Sequence, residues 1–186
     1  MRLWGGVSDA GRAPGRVLVG GVGYRWHGDA SFGLVAADRL GRETWPAGVE
    51  VADLGYGALL VVQDLEDAQP PYDRIVFLSA MSRGRTPGRL YRRRWTGVRP
   101  DGDEVQARIR EAGAGVIDVD HLLVIAEHFR VLPRDVVVIE LEPADTAAGP
   151  AMSASATALL SEMRDMVRAE ARAPRRALEA ADRSRP

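Results

Sequence analysis

Hydrophobic positions along the chain form short continuous runs that alternate with stretches of helical spacing. Three of the runs are residues 16–21, 49–53 and 74–78. Apolar, β-branched runs of this length are typical of strands buried on both faces of a sheet. Between them, residues 32–40 and 58–67 repeat their apolar side chains at helical intervals. This β-α-β-α-β order predicts a parallel sheet with helices on both faces.

The second half of the chain has a less regular pattern. Residues 89–95 are predicted to form an antiparallel or edge strand, which carries three consecutive arginines. The remaining predicted elements are helices at 103–111 and 121–129, a strand at 135–141, and a long final helix capped by Ser153. The expected fold class is α/β: a three-layer α-β-α sandwich whose sheet is mostly parallel and twisted, with one antiparallel edge strand.

Composition narrows the function classes. The chain has 25 basic and 26 acidic residues, so no overall field favours nucleic acid or a membrane surface, and we expect neither as a partner. It has no cysteine, which excludes disulfides and thiolate chemistry. We expect a cytoplasmic monomer with one domain at residues 15–172, a flexible extension at 1–14 and a disordered tail at 173–186.

A glycine-rich turn follows the first predicted strand, as in dinucleotide-binding folds. A pyrophosphate site needs closely spaced glycines and a helix that starts at once. After Gly20-Gly21-Val22-Gly23 the next glycine is Gly28, and bulky side chains lie between. Asp53, at the end of the second strand, would suit a ribose hydroxyl. A nucleotide-binding α/β domain therefore stays open as an alternative, although a glycine-rich loop without a ligand explains the spacing better.

The histidines give no clear catalytic pattern. His121 and His128 are seven residues apart, whereas two metal ligands on one helix are usually four apart. His27 lies in a loop beside Asp29, close to the carboxyl end of the first strand. Ligands of open α/β sheets collect at that edge, so this loop is the best candidate site on physical grounds.

A basic segment occupies the predicted edge strand. Guanidinium groups bind carboxylates in a bidentate manner, so the segment could contact an acidic partner. The alternative is a solvated edge whose charges discourage pairing with another sheet. The candidate partner-binding residues are Arg89, Arg92, Arg93 and Arg94.

Taken in order, these segments resemble the hydrogenase maturation proteases, the endopeptidases that process the large subunit of nickel-iron hydrogenases. The family's Gly-x-Gly-Asn corresponds to Gly21-Val22-Gly23-Tyr24, and the acidic pair that follows corresponds to positions 29 and 30. The Asp-Gly-Gly-Thr after the second strand corresponds to residues 53–56, and the Asp-Ala…Pro-Gly of the third strand to residues 79–88. The resemblance covers about residues 16–171.

The same resemblance implies that the family's metal ligands are lost. The two acids fall on Ala30 and Ser79, and the histidine falls near Gly115. Asp29 and His121 are then the remaining candidate metal ligands, and no catalytic residue can be named. The resemblance implies no stably bound cofactor; nickel would come with the substrate.

Two functions follow from the resemblance. The chain could be a divergent metal-dependent endopeptidase that cuts the C-terminal extension of a hydrogenase large-subunit precursor. Alternatively, it could be a non-proteolytic module that binds such a precursor or an assembly intermediate. In both cases the expected partner is the large-subunit precursor, and the loss of ligands argues against peptide cleavage.

Overall fold

The computed structural model describes residues 15–97 and 101–173. The predicted N-terminal extension, and residues 174–186 of the predicted tail, lie outside this part. Five strands form one sheet in the order β2-β1-β3-β5-β4, in which only β4 runs antiparallel to its neighbour. The strands are β1 Val17–Gly21, β2 Val49–Asp53, β3 Arg74–Ala80, β4 Arg89–Arg94 and β5 Asp135–Glu142.

Helices cover both faces of this sheet, so the predicted three-layer sandwich with one antiparallel edge strand is confirmed. One face, here called the α4 face, packs against α2 Ala58–Asp67, α3 Gly102–Gly113 and α4 Val119–His128. The other, the α6 face, packs against α1 Phe32–Leu40, α5 Ala154–Ala158 and α6 Leu160–Arg172. Within the described ranges no helix is long and apolar enough to cross a bilayer.

The long final helix expected from the sequence is divided at Leu159. The backbone N–H of Leu159 donates to the carbonyl of Ala156, three residues back, at 3.1 Å, which tightens the turn between α5 and α6. Ser153 caps α5 as expected, since its hydroxyl accepts from the backbone N–H of Ala156 at 3.1 Å. The division leaves the buried stripe continuous: Ala156, Leu160, Met163 and Val167.

A close helix contact at Gly33 positions the loop after β1. A Cβ at Gly33 would lie 2.2 Å from the carbonyl oxygen of Leu78 and 2.7 Å from that of Val22. Only glycine lets the first turn of α1 approach the ends of β1 and β3 this closely. As a result, the loop between β1 and α1 lies against the carboxyl edge of the sheet.

Candidate functional site at the carboxyl edge of the sheet

The strand order creates a crevice where β1 and β3 end. The chain leaves β1 toward β2 on one side and leaves β3 toward β5 and β4 on the other. In open α/β sheets, ligands bind at such a switch point, outside the carboxyl ends of the strands. Here the crevice is bordered by the loop 22–31, by Ser79 at the end of β3, and by the chain before α4.

Asp29 is fully buried and all of its carboxylate contacts are structural. Its Oδ2 accepts from the backbone N–H groups of Ala144 and Asp145 at 3.0 and 3.1 Å, and from the Ser153 hydroxyl at 3.0 Å. Its Oδ1 accepts from the backbone N–H of Ser153 at 2.8 Å. The carboxylate therefore ties the loop after β1 to the segment that joins β5 to α5.

Trp26 projects into solvent from the same loop. Its side chain is 67% exposed, and its backbone has φ of 60°, a conformation that a large side chain rarely adopts. The Trp26 carbonyl accepts from the N–H of Gly149 at 2.9 Å, and His27 forms a β-bridge with Gly149. The contacts of Asp29 and Gly149 thus fix the backbone from which the exposed Trp26 side chain projects.

Tyr24 connects two loops that border the crevice. Its hydroxyl accepts from the backbone N–H of Ile117 at 2.7 Å, and its ring lies 5.7 Å from the His27 ring. One loop carries Ala30 and the other carries Gly115, two positions at which the resemblance places metal ligands. A hydrogen bond between a side chain and the backbone therefore joins these loops directly.

Ser79, the third such position, is buried at 2% exposure. Its hydroxyl has no hydrogen-bond partner among the described residues. It lies in register with Glu140 of the neighbouring strand β5, a residue with 0% exposure. The carboxylate at this end of the sheet is therefore on β5, one strand away from the position implied by the resemblance.

Arg83 and Arg93 both hydrogen-bond to Glu140, and Nη2 of Arg85 lies 3.2 Å from its Oε2. Arg83 binds it in a bidentate manner, from Nε to Oε2 at 2.9 Å and from Nη2 to Oε1 at 2.7 Å. Arg93 donates to Oε1 from Nε at 3.1 Å and from Nη2 at 3.0 Å. Burial alone would raise the pKa of Glu140, but the hydrogen bond from Arg83 and the charge of Arg93 outweigh it and hold that pKa below its usual range.

The lowered pKa of Glu140 predicts that the folded protein loses stability in acid. Because the folded pKa of Glu140 is depressed, its stabilisation is fully present above the unfolded value of about 4.3 and is lost as pH falls through the folded pKa. Glu140→Gln should therefore lower stability at neutral pH and flatten the pH dependence of urea unfolding below about pH 4.3. Glu66→Gln, an exposed control on α2, should leave the wild-type profile unchanged. Equal slopes for wild type and Glu140→Gln would contradict this assignment.

His121 lies near the start of α4 in an acidic setting. Its Nε2 contacts the carboxylate of Glu111, and its Nδ1 lies 2.6 Å from Oδ2 of Asp118. Arg108 donates to the same Glu111 carboxylate at 2.9 Å. Among the residues that the structure describes, the partners of His121 and those of Asp29 are different, so the two predicted metal ligands have no contact in common.

A cleft opens between α4, the start of α3 and the edge strand β4. Its volume is about 580 Å³, and it lies on the α4 face beside the end of β3. Both charged and apolar side chains line it, among them Met81, Arg83, Arg93, Trp95, Asp120 and His121. We call it the α4 cleft.

Of the four arginines predicted to bind a partner, only Arg93 lines this cleft. Arg92 and Arg94 point to the opposite face, where Arg92 binds Glu170 at 2.5 Å and Arg94 binds Asp135. Arg89 is exposed, and no ion pair is found for it in the described ranges. Arg83 belongs to the basic stretch that the sequence offered as a contact for an acidic partner, whereas sequence reasoning missed Glu140, although acidic residues in β5 opposite arginines in β4 are a readable cross-strand signal.

The glycines at the end of β1 allow neighbouring segments to pack closely against the strand. A Cβ at Gly20 would lie 2.2 Å from the Leu54 side chain, and one at Gly21 would lie 2.5 Å from the Gly33 carbonyl. Asp53 is already engaged, with Arg25 at 2.5 Å and with the N–H of Gly55 at 2.7 Å. These contacts do not favour the nucleotide-binding alternative.

Comparison with solved structures identifies the relatives of this chain. A hydrogenase 2 maturation peptidase from Thaumarchaeota archaeon SCGC_AB-539-E09 is 31% identical, with 84% of this chain and 97% of that chain covered and a TM-score of 0.59. The chain belongs to the hydrogenase maturation protease family. No protein-family model matches the sequence, and a search of curated proteins gives no match either.

More distant members of the hydrogenase maturation protease family share the fold. The maturating endopeptidase HybD from E. coli is 19% identical, with 82% of this chain and 89% of that chain covered and a TM-score of 0.60. The [NiFe] hydrogenase maturation protease HycI from Thermococcus kodakarensis KOD1 is also 19% identical, with 84% and 91% covered and a TM-score of 0.56.

The side chains at the positions where the resemblance places metal ligands do not suit a metal ion. Ala30 and Gly115 offer no donor atom, and Ser79 offers a neutral hydroxyl, whereas a divalent cation prefers carboxylate or imidazole. Asp29 already accepts four hydrogen bonds. In residues 15–97 and 101–173 no group of three or more His, Asp or Glu side chains is placed to hold a metal.

Proposed function

We propose that this hydrogenase maturation protease homologue acts in the maturation of a nickel-iron hydrogenase large subunit by binding the precursor without cutting it. Its membership of the family supports the maturation role. One observation supports the non-proteolytic part: the positions at which the resemblance places metal ligands fall on Ala30, on Ser79 and near Gly115, none of which can supply an anionic oxygen or an imidazole. Metal-assisted hydrolysis would have no ligand set among residues 15–97 and 101–173.

The surface at the carboxyl edge supports protein binding. Trp26 is 67% exposed, and Tyr56 and Leu60, which follow β2 at the same edge, are 44% and 54% exposed. Exposed aromatic and aliphatic side chains in a fixed setting are typical of binding surfaces. The hydrogen bonds of Asp29 and Tyr24 hold this edge in shape before any partner arrives, which lowers the entropy cost of association.

The direct test uses a nickel-loaded large-subunit precursor that retains its C-terminal extension. We expect a complex on size-exclusion chromatography and no shortening of the precursor by mass spectrometry. Trp26→Ser should weaken the complex by at least about tenfold. Phe129→Ser is the matched control, because Phe129 is 47% exposed but lies at the end of α4, next to the amino edge of the sheet.

The alternative functions give different results in the same assay. Removal of the C-terminal extension by the purified chain would show that it is an endopeptidase despite its ligand positions. Absence of any complex with the precursor would reject the binding role.

A further inference from the structure

Two carboxylates lie one behind the other on the same pair of arginines in the α4 cleft. The inner one, Glu140, has 0% exposure. The outer one, Asp120, is 41% exposed. Asp120 Oδ1 accepts from Nη2 of Arg83 at 2.9 Å and from Nη2 of Arg93 at 2.9 Å. The guanidinium groups of Arg83 and Arg93 thus bind Glu140 on their buried side and the half-exposed Asp120 on the side that faces solvent.

The inner carboxylate fixes the arginines in a binding geometry. The contacts of Arg83 and Arg93 with Glu140 are made independently of Asp120, since they use a different carboxylate on the inner side of the guanidinium groups. Without Asp120, Nη2 of Arg83 and Nη2 of Arg93 would each lose one carboxylate acceptor at the mouth of the cleft. Guanidinium groups that are already oriented bind a carboxylate with little further loss of side-chain entropy.

The walls of the cleft indicate what else the ligand carries. Met81, Trp95 and Val124 give apolar surface beside the arginines. The cleft volume of about 580 Å³ is in the range of sites that take a few residues of peptide or a small ligand. An acidic residue flanked by apolar residues would match both features.

We propose that the α4 cleft is a binding site for a carboxylate-bearing peptide segment, in which Arg83 and Arg93 hold the ligand carboxylate and Asp120 occupies that position until it is displaced. The identity of the segment as part of the hydrogenase precursor rests on the proposed function; the carboxylate chemistry does not. Asp120 is therefore an internal competitor. Its first-turn position on α4 lets it turn toward solvent without disturbing the helix.

The fold supplies a second observation at this site. The Ser79 hydroxyl is buried beside Glu140 and has no hydrogen-bond partner in the described part of the chain. Met81, which lines the cleft, lies two positions after Ser79 and directly follows β3, so the alternation of the strand places both side chains on the same face of the sheet. This hydroxyl is a buried polar group without a partner among the described residues, on the face of the sheet that the cleft adjoins.

The test is calorimetric titration with the peptide acetyl-Trp-Leu-Asp-Leu-amide. Asp120→Asn should tighten binding by about tenfold, because Asn keeps the shape and removes the competing charge. Arg93→Gln should weaken it by at least about tenfold, while Arg83 continues to neutralise Glu140 in that variant. Arg89→Gln is the control: it is on the same strand, exposed and outside the cleft, and should bind as wild type does.

Two further peptides separate the sources of the carboxylate. The Asn analogue, acetyl-Trp-Leu-Asn-Leu-amide, should bind at least about tenfold more weakly than the Asp peptide. The peptide acetyl-Trp-Leu-Leu with a free C-terminus tests a terminal carboxylate; tighter binding than the Asp peptide would assign the site to chain ends. Equal binding of Asp and Asn peptides, or no gain in Asp120→Asn, would overturn the proposal.

The two proposals fail in different ways. A precursor complex that forms equally well with wild type and Arg93→Gln, together with no peptide discrimination, would remove the carboxylate site and keep the precursor-binding role. Discrimination between the Asp and Asn peptides without any precursor complex would keep the site and remove the hydrogenase precursor as its source.

Discussion

Asp29→Ala is expected to lower the free energy of unfolding by about 3 kcal/mol, a large share of the 5–15 kcal/mol typical of a domain. The substitution removes an acceptor from three backbone N–H groups and the Ser153 hydroxyl. Hydrogen bonds to a charged group contribute more than neutral ones, and unpaired donors carry a desolvation cost. Urea unfolding followed by tryptophan fluorescence measures the change.

Two comparisons decide whether this loss is specific. Asp38→Asn removes an exposed partner of Arg25 and should change stability by less than about 1 kcal/mol. Nickel titration of wild type and Asp29→Ala should show no specific binding in either protein. A stable Asp29→Ala variant that has lost a nickel site present in the wild type would instead support Asp29 as a ligand.

The fold could be predicted because its signals are local. The strand at 49–53 and the helices at 32–40 and 58–67 have the bounds expected from the sequence, since glycines or prolines end each apolar pattern. The division at Leu159 could not be predicted, because one apolar stripe continues through α5 and α6. Propensity does not distinguish a helix with one tight turn from a continuous helix.

The site was less accessible to sequence reasoning because its contacts are long-range. The sequence predicts Asp29 as a metal ligand, but its hydrogen-bond partners lie in the segment 144–153, more than a hundred residues further along the chain. Glu140 lies inside an apolar run, and its arginine partners can be read from the sequence only once β4 and β5 are known to be neighbours. The residues at the ligand positions, Ala30 and Ser79, were readable directly, since the type of side chain alone decides whether a carboxylate is present.

Three long-range contacts fix the segments that border the crevice at the carboxyl edge of the sheet. Asp29 ties the loop after β1 to the chain before α5, Tyr24 ties it to the chain before α4, and Glu140 fixes Arg83 between β3 and β4. Each contact joins segments that border the crevice. The expected consequence is a rigid surface for binding a partner, which fits a precursor-binding protein better than a site that must exchange a metal.

Arg74→Ala is expected to lower the free energy of unfolding by about 4 kcal/mol. Arg74 begins β3 with its side chain only 2% exposed, and it donates to Oδ2 of Asp135 from Nε at 2.7 Å and from Nη2 at 2.5 Å. Its Nη1 donates to the carbonyl of Glu170, and to that of Ala173 at 3.3 Å, which fixes the end of α6 on the sheet. Removing it leaves Asp135, at 7% exposure, without its most buried cation.

A double-mutant cycle with Asp135→Ala tests this explanation. If the main cost is a buried charge that has lost its partner, the double variant should be destabilised by less than the sum of the two single variants, with a coupling of at least about 1 kcal/mol. Arg42→Ala, an exposed control after α1, should change stability by less than about 0.5 kcal/mol. Additive single effects would show that Arg74 acts through its contacts with α6, and limited proteolysis within residues 160–172 would then increase in Arg74→Ala alone.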